Sequence, residues 1–541
     1  ILSATTGVAA LSGATSSKVN AATAAGASCS TPRSAIAKTQ YGKVRGYIDD
    51  GVLTFKGVPY GANTGGENRW LPAKPPKSWD GEYPALIYGA NCPQRLHTWT
   101  SEQTFLFQWT DGWQSEDMLK LNIWTSSLSG KRPVMVYLHG GGFTFGSAYE
   151  LASQDGAQMA RHHDVVSVTV NHRLNVLGFL DVTSIGGPAY ADSVNVGMTD
   201  LVAALRWVRD NIANFGGDPG NVMIFGQSGG GGKVNTLMAM PAAKGLFHRA
   251  AVESGSLMDA ATADDSAKLG AAVLQQLGIS PSQIDQIKDV PVDRLVGAGI
   301  AAIKSLATPM QLGRSFSLPR IGWQPMVDGT NLPAQPWDPA APALSANVPL
   351  LVGTVLNEFS NALYDPSLSS MTDDQLKARV ATTYKDQAAH IIDVFRAANP
   401  KATPGQLMSL ISAAPVRQGA ITQAERKAAQ GAAPAFNYWF TWQTPVLDGR
   451  PGAFHCSELS FVFDNTDRCA PMTGGGPGPR ALAAKVSDAW INFARHGDPN
   501  HSGLPHWPAF TAAECPTMIF DTECVMKNDP DGAERASLRQ A

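Results

Sequence analysis

The sequence predicts an α/β fold, a large and mostly parallel central sheet flanked by helices with helical cap insertions, and three observations predict it. Short apolar runs rich in Val or Ile recur at Val134–Leu138, Val165–Val170, Val222–Phe225 and Val348–Val352, each bounded by turn residues. A strand covered on both faces needs apolar side chains at successive positions rather than alternate ones. Helical patterns separate the runs. Strand, helix, strand in succession is what a parallel sheet with crossover helices requires.

The elements follow in order along the chain. Ile1 to Ser30 is almost entirely Ala, Ser, Thr and Gly, a composition that cannot supply a packed core. Residues 1–35 read either as an export-signal remnant, with Ala22-Thr23-Ala24 of the small-residue cleavage type, or as a flexible linker. The first reading implies an exported protein, periplasmic or secreted. Residues 36–541 read as one domain. Within it, Met198–Asn214 places Leu201, Leu205 and Val208 on one helical face and stops at Phe215-Gly216-Gly217-Asp218-Pro219. Residues 258–317 and 371–430 are Ala-rich and helical in pattern. They are expected to cover the sheet or to form a cap that builds the substrate pocket.

Composition excludes several partners. Charged residues are only 16%, and 42 basic against 45 acidic residues leave a net charge of -3 with no basic block. Nucleic acid and anionic membrane surfaces are therefore not expected partners. No apolar run approaches the ~20 residues of a membrane span. Six cysteines, Cys29, Cys92, Cys456, Cys469, Cys515 and Cys524, allow roughly 15 full pairings. Cys515–Cys524, flanking the strand-like Thr517–Phe520, is the first expected pair. Cys456–Cys469 is the second, and Cys29–Cys92 follows by elimination. No paired Cys/His spacing suggests a metal, and no cofactor is expected. Asn500-His501-Ser502 is a glycosylation sequon short enough to arise by chance.

The sharpest chemical signal follows a predicted strand. Phe225-Gly226-Gln227-Ser228-Gly229-Gly230 is Gly-x-Ser-x-Gly between a strand and a helix-compatible run, the setting that carries a nucleophilic serine on a strained turn. A side chain at either flanking glycine would collide with the adjoining strand or helix. The helix N-terminus also turns its dipole toward charge developing near Ser228. Gly232-Lys233 invites a phosphate-loop reading, but that motif needs Gly where Gln227 stands and Ser or Thr where Val234 stands. It fails at both ends. A second segment, His139-Gly140-Gly141-Gly142-Phe143, follows the run Val134–Leu138. Acyl transfer needs backbone N–H groups aimed at an oxyanion, and glycine permits that close approach. By its position this loop should supply the oxyanion hole together with the N–H of Gly229.

A serine nucleophile needs a base and an acid further along the chain. After residue 353 the histidines are His390, His455, His496, His501 and His506. His390 sits in a helical pattern, and the last three fall in the polar run Arg495–Trp507, which reads as a solvated loop. His455 lies just past a turn, in Gly452-Ala453-Phe454-His455-Cys456-Ser457-Glu458. Glu358 sits just beyond the C-terminal end of the strand Val348–Val352, the edge of an open α/β sheet where sites lie.

The chain resembles the type-B carboxylesterase/lipase family, the cholinesterase-like α/β-hydrolases. The resemblance is carried by Phe55–Tyr60, Arg69-Trp70-Leu71-Pro72 with Trp79, Ser115–Trp124, Asn171-His172-Arg173-Leu174 and Gly178-Phe179-Leu180. Asn214–Pro219, Gly245–Ala250 and Trp490–Asn500 extend it to nearly the whole chain after residue 40. It implies an α/β-hydrolase fold, a triad of Ser228, Glu358 and His455, and an oxyanion hole of Gly141, Gly142 and Gly229. Three departures stand out. The family usually bridges the cysteine matched by Cys92 to one in the place of Met118, so here that bridge cannot form. The residue before the nucleophile is usually Glu, and Gln227 removes that negative charge, so the pH profile should shift. The place of the choline-stacking tryptophan, counted five residues past Trp79, is Pro84, which implies a missing cation–π site and disfavours choline esters.

These readings predict serine-dependent hydrolysis of carboxylic esters through an acyl-enzyme, on small uncharged or aromatic esters, by a monomer or homodimer. The rival from another class is a non-catalytic binding or adhesion domain. Such domains usually lose a triad member, and this chain keeps all three. Amidase and thioesterase chemistry stay open, since one fold hosts several acyl transfers.

Overall fold

A computed structural model describes residues 35–96, 98–306 and 321–539. The expected apolar runs pair into an eleven-stranded sheet. Its strands are β3 (Tyr47–Asp49), β4 (Val52–Pro59), β6 (Lys120–Thr125), β7 (Arg132–Leu138), β8 (Val166–Val170) and β9 (Gly217–Gln227). They continue with β10 (Arg249–Glu253), β11 (Leu350–Val355), β12 (Ala435–Phe440), β13 (Pro516–Phe520) and β14 (Val525–Asn528). A small sheet of β1 (Ile36–Thr39), β2 (Gly42–Arg45) and β5 (Glu82–Pro84) stands apart.

The spatial order is β14-β13-β12-β11-β10-β9-β7-β8-β6-β4-β3. Strands β8, β7, β9, β10, β11, β12 and β13 run parallel, and the antiparallel pairings lie toward the two edges. Both faces are covered, as the apolar runs require. Val134, Val136 and Leu138 of β7 enter one core, while Met135 and Tyr137 enter the other. The same alternation divides Val222 and Ile224 of β9 from Met223 and Phe225.

The strand order reverses between β7 and β9: from β7 the chain moves to β8 on one side, then returns to β9 on the other. At such a switch point the crossover helices diverge and leave a crevice beyond the carboxyl ends of the strands. The loop after β7 begins at His139 and the loop after β9 carries Ser228.

The predicted helix is Val196–Asn211, followed by a 3₁₀ turn, Ile212–Phe215, that ends at left-handed Gly216. Within the expected cap segments, helices Ala263–Leu277 and Val292–Leu306 pack together on the main core. Residues 307–317 lie outside the described residues. Helices Asp373–Tyr384, Ala388–Ala398 and Pro404–Ala428 close a small core of their own around Leu376, Ile391, Phe395, Leu407 and Ile411.

Two expectations are corrected. The run Arg495–Trp507 is not wholly solvated: helix Pro477–His496 continues into it, and Trp507 is fully buried against Phe436 and Phe520. The expected disulfides are absent among the described residues, where Cys92, Cys456, Cys469, Cys515 and Cys524 are all free. For Cys515–Cys524 the reason is length. The five-residue strand Pro516–Phe520 between them spans about 17 Å, whereas a disulfide needs Cα atoms roughly 4.4–6.8 Å apart. Flanking a strand puts two cysteines at its opposite ends. Cys29 lies outside the described residues.

Candidate active site

Ser228 follows β9 and precedes the helix Gly229–Ala239, with φ 58° and ψ -124°. A non-glycine residue holds that conformation only when its surroundings dictate it. They do so through two glycines. A Cβ at Gly226 would strike Gly230 and Leu138 O, and one at Gly230 would overlap Leu138 O. The Ser228 N–H donates to Glu253 O at 2.7 Å, which ties the turn to β10. Its side chain faces a cavity of about 270 Å³ shared with His455, Gln227 and Gly140–Gly142.

The other two expected residues arrive on neighbouring strand ends. Glu358 follows β11 in a left-handed conformation, φ 49°. Phe454 pairs with it across a parallel bridge, and the His455 N–H donates to Glu358 O at 3.0 Å. The two side chains then meet: His455 Nδ1 donates to Glu358 Oε2. The other carboxylate oxygen accepts from Ser254 Oγ at 2.7 Å and from the Val355 N–H at 3.2 Å. Both residues are almost fully buried. His455 Nε2 and the Ser228 hydroxyl line the same cavity without a hydrogen bond between them in this structure. Such bonds often tighten only when substrate binds. The Phe359 ring lies 3.9 Å from that of His455, centroid to centroid.

Gln227 lies beside the imidazole. Its Nε2 is 3.3 Å from Nδ1 and 3.2 Å from Nε2 of His455, so the amide lies about equally near both ring nitrogens. Its Oε1 accepts from Cys456 Sγ at 3.0 Å. Two further carboxyls lie deeper. Burial, reinforced by the neighbouring Glu253 and Glu358, holds Glu458 well above the usual carboxylate range, and neither of its oxygens has a partner. Burial pushes Glu253 up to about 8 against the opposing hydrogen bond from Trp490 Nε1. Glu358 is buried too, but donors meet both of its oxygens.

Gly141 and Gly142 both have positive φ and line the cavity. Gly229 packs against Gly142, which a Cβ there would overlap. Among the described residues, none of the three N–H groups donates to a protein acceptor. Three free donors near a serine and a histidine–glutamate pair suit a developing oxyanion. The described residues contain no cluster of His, Cys, Asp or Glu able to hold a metal.

Several features of the site were missed in the sequence. Ser254, which orients Glu358, follows β10 as Glu253-Ser254-Gly255-Ser256, and its place at another strand end was the available signal. The cavity walls are aromatic, with Trp99, Phe107, Trp109, Phe145, Phe359 and Tyr364. Pro84, the place counted for the choline-stacking tryptophan, sits exposed at the end of β5 in the small sheet and does not line the cavity. Two tryptophans from residues 99–109 do. Among the described residues neither cap segment lines it; helix Val292–Leu306 contributes instead to an adjoining cavity of about 310 Å³ that shares Thr144 and Phe145. Met118 fills its place without a bridge and accepts from Thr64 Oγ1 at 3.5 Å.

A doubly covered, mostly parallel sheet with a serine on a strained strand–helix turn, next to a histidine–glutamate pair, defines a serine hydrolase of the α/β-hydrolase class. The chain belongs to the carboxylesterase family, which it matches over residues 33–536. It is 34% identical to the para-nitrobenzyl esterase of Bacillus subtilis over 507 residues, 93% of this chain and 98% of that one. It is 33% identical to a human cocaine esterase, across 89% of this chain and 87% of the relative. Among solved structures, a Clostridium hathewayi esterase that can hydrolyze aliphatic aromatic polyesters superposes with a TM-score of 0.80 at 35% identity, covering 94% of this chain and 98% of that one. The protein is a carboxylic-ester hydrolase. Among the described residues no helix is long and apolar enough to cross a membrane.

Proposed function

We propose that Ser228, His455 and Glu358 form the catalytic triad and that the N–H groups of Gly141, Gly142 and Gly229 form the oxyanion hole. The observation that carries the reading is the His455 Nδ1–Glu358 Oε2 hydrogen bond beside a strained serine in one cavity. Ser228 Oγ attacks the ester carbonyl carbon while His455 Nε2 takes the hydroxyl proton. Glu358 fixes the Nδ1–H tautomer and stabilises the imidazolium. The carbonyl oxygen becomes an oxyanion among the three N–H groups, and the alcohol departs with the proton from His455. Water then repeats the sequence: His455 takes its proton, the acyl–serine bond breaks, and the acid is released.

The substrates are small uncharged or aromatic esters. The aromatic walls support this, since flat rings pack on Trp99, Trp109 and Phe145 with favourable edge and face contacts. The names of the relatives above, which include an esterase for a nitrobenzyl substrate, point the same way. Hydrolysis of p-nitrophenyl acetate by Ser228→Ala tests the assignment. Turnover is expected to fall by about 10⁶-fold, and the variant should resist covalent labelling by an organophosphate. An active, labelled variant refutes it.

A further inference from the structure

The failed phosphate-loop motif leaves Lys233 without a task. Its side chain is fully buried in the helix that follows Ser228. A buried ammonium is costly unless its hydrogens are met. They are met by backbone: Lys233 Nζ donates to His139 O at 2.8 Å and to Gly140 O at 3.2 Å. It also stands 5.7 Å from the centroid of the Phe143 ring. Both carbonyls and the ring belong to the segment His139–Phe143 after β7.

The geometry of a peptide gives these contacts a consequence. In a planar trans peptide the C=O and N–H point in opposite directions. A lysine that draws Gly140 O toward the helix turns the N–H of Gly141, in the same peptide, the other way. Gly141 borders the cavity that holds Ser228, and its N–H has no acceptor among the described residues. A donor at the carbonyl also polarises the N–H of the same peptide. The glycines of this loop have no side chains with which to anchor themselves.

We propose that Lys233 is the positioning residue of the oxyanion loop, holding the His139–Gly141 peptides from behind and strengthening the Gly141 N–H as a donor to the tetrahedral oxyanion of the ester. This rests on the assignment of Gly141 to the oxyanion hole. The groups facing the ammonium are Glu150, His139 and His172. Glu150 accepts from the Ser147 N–H and from Gln154 Nε2, and lies 3.9 Å from His139 Nδ1. Burial brings Lys233 down to about 7, opposed by Glu150, and pushes Glu150 up to about 7. Burial first, then Lys233 itself, keeps His139 and His172 well below their usual range. The lysine therefore loses its charge as the pH rises through about 7, and turnover should decline with it.

The test uses the full chain, p-nitrophenyl acetate as substrate, and a trifluoromethyl ketone that binds as a tetrahedral adduct. Lys233→Met is expected to lower kcat by about 10–10²-fold with KM within about twofold. The ketone should weaken by the same factor, and the decline above pH 7 should flatten. Lys233→Arg should recover most of the lost turnover. Unchanged kcat and ketone affinity in Lys233→Met overturn the proposal, as does a loss confined to KM and melting temperature. If Lys233→Met does not fold, Glu150→Gln decides: without the carboxylate that favours the ammonium, the decline should move to lower pH, and an unmoved decline overturns the proposal. An active Ser228→Ala would instead refute the site assignment itself.

Discussion

The two walls that meet at Ser228 are built by opposite means. On the His455 wall the reactive atoms belong to side chains, and each is held in advance. Glu358 receives His455 Nδ1, Ser254 Oγ and the Val355 N–H, while a backbone bridge locks the two loops together. On the glycine wall the N–H groups of Gly141, Gly142 and Gly229 have no acceptor in the protein among the described residues. The difference follows from the chemistry proposed for each. A group that moves a proton works from one tautomer and orientation, so its partners must already be in place. A group that receives a transient anion must keep its donors free yet fixed. Glu458 shows the third case, a buried carboxyl whose oxygens meet no donor and which burial holds well above the usual carboxylate range.

Breaking the His455 wall should have the largest effect. Glu358→Gln keeps the shape but presents an amide to Nδ1, which favours the wrong tautomer; kcat for p-nitrophenyl acetate is expected to fall by about 10⁴-fold. Breaking the glycine wall comes next. Gly141 has φ +77°, and a Cβ there would overlap Phe145 O, so Gly141→Ala must displace the loop. A fall of about 10²–10³-fold in kcat with little change in KM is expected, the cost of one oxyanion donor. A rise in KM with kcat unchanged would move the glycine wall out of the reaction. Ser254→Ala removes one of three donors to Glu358 and should cost about tenfold, the worth of one net hydrogen bond. An effect as large as that of Glu358→Gln would mean that the carboxylate depends on this serine alone.

The smallest effect sharpens the comparison. Gln227→Glu restores an anion beside the His455 imidazole. An anion stabilises the imidazolium, so the ascending limb of kcat/KM against pH should move to higher pH while the maximum changes little. An unmoved limb would show that Glu358 alone sets the charge felt by the imidazole.

Most of the fold was legible because the central strands are buried on both faces and so read as continuous apolar runs. Strand β9 was placed only from Val222, since Gly217-Asp218-Pro219-Gly220 carries turn residues although it pairs with the sheet. The site was legible where local geometry imposes residue type. Gly226 and Gly230 are glycines because a Cβ would meet Leu138 or the helix, so the motif announced Ser228. The aromatic walls were not legible, because Trp99, Phe145 and Phe359 come from separate loops that converge only in the folded chain. The disulfide expectations failed for a related reason, since spacing along a chain does not give the distance across a strand.

The sequence by itself determined the class of fold, the strained serine and the order of the residues proposed to act with it, because periodicity and steric exclusion act over a few residues. Only the tertiary structure decided which donors hold Glu358 against His455, which tryptophans line the cavity and what stands behind the glycine loop. Those contacts join residues as far apart as Lys233 and His139, or Glu358 and His455, and nothing local in the chain encodes a distance between strand ends. The reversal of strand order between β7 and β9 brings them to one crevice, and that reversal belongs to the sheet as a whole.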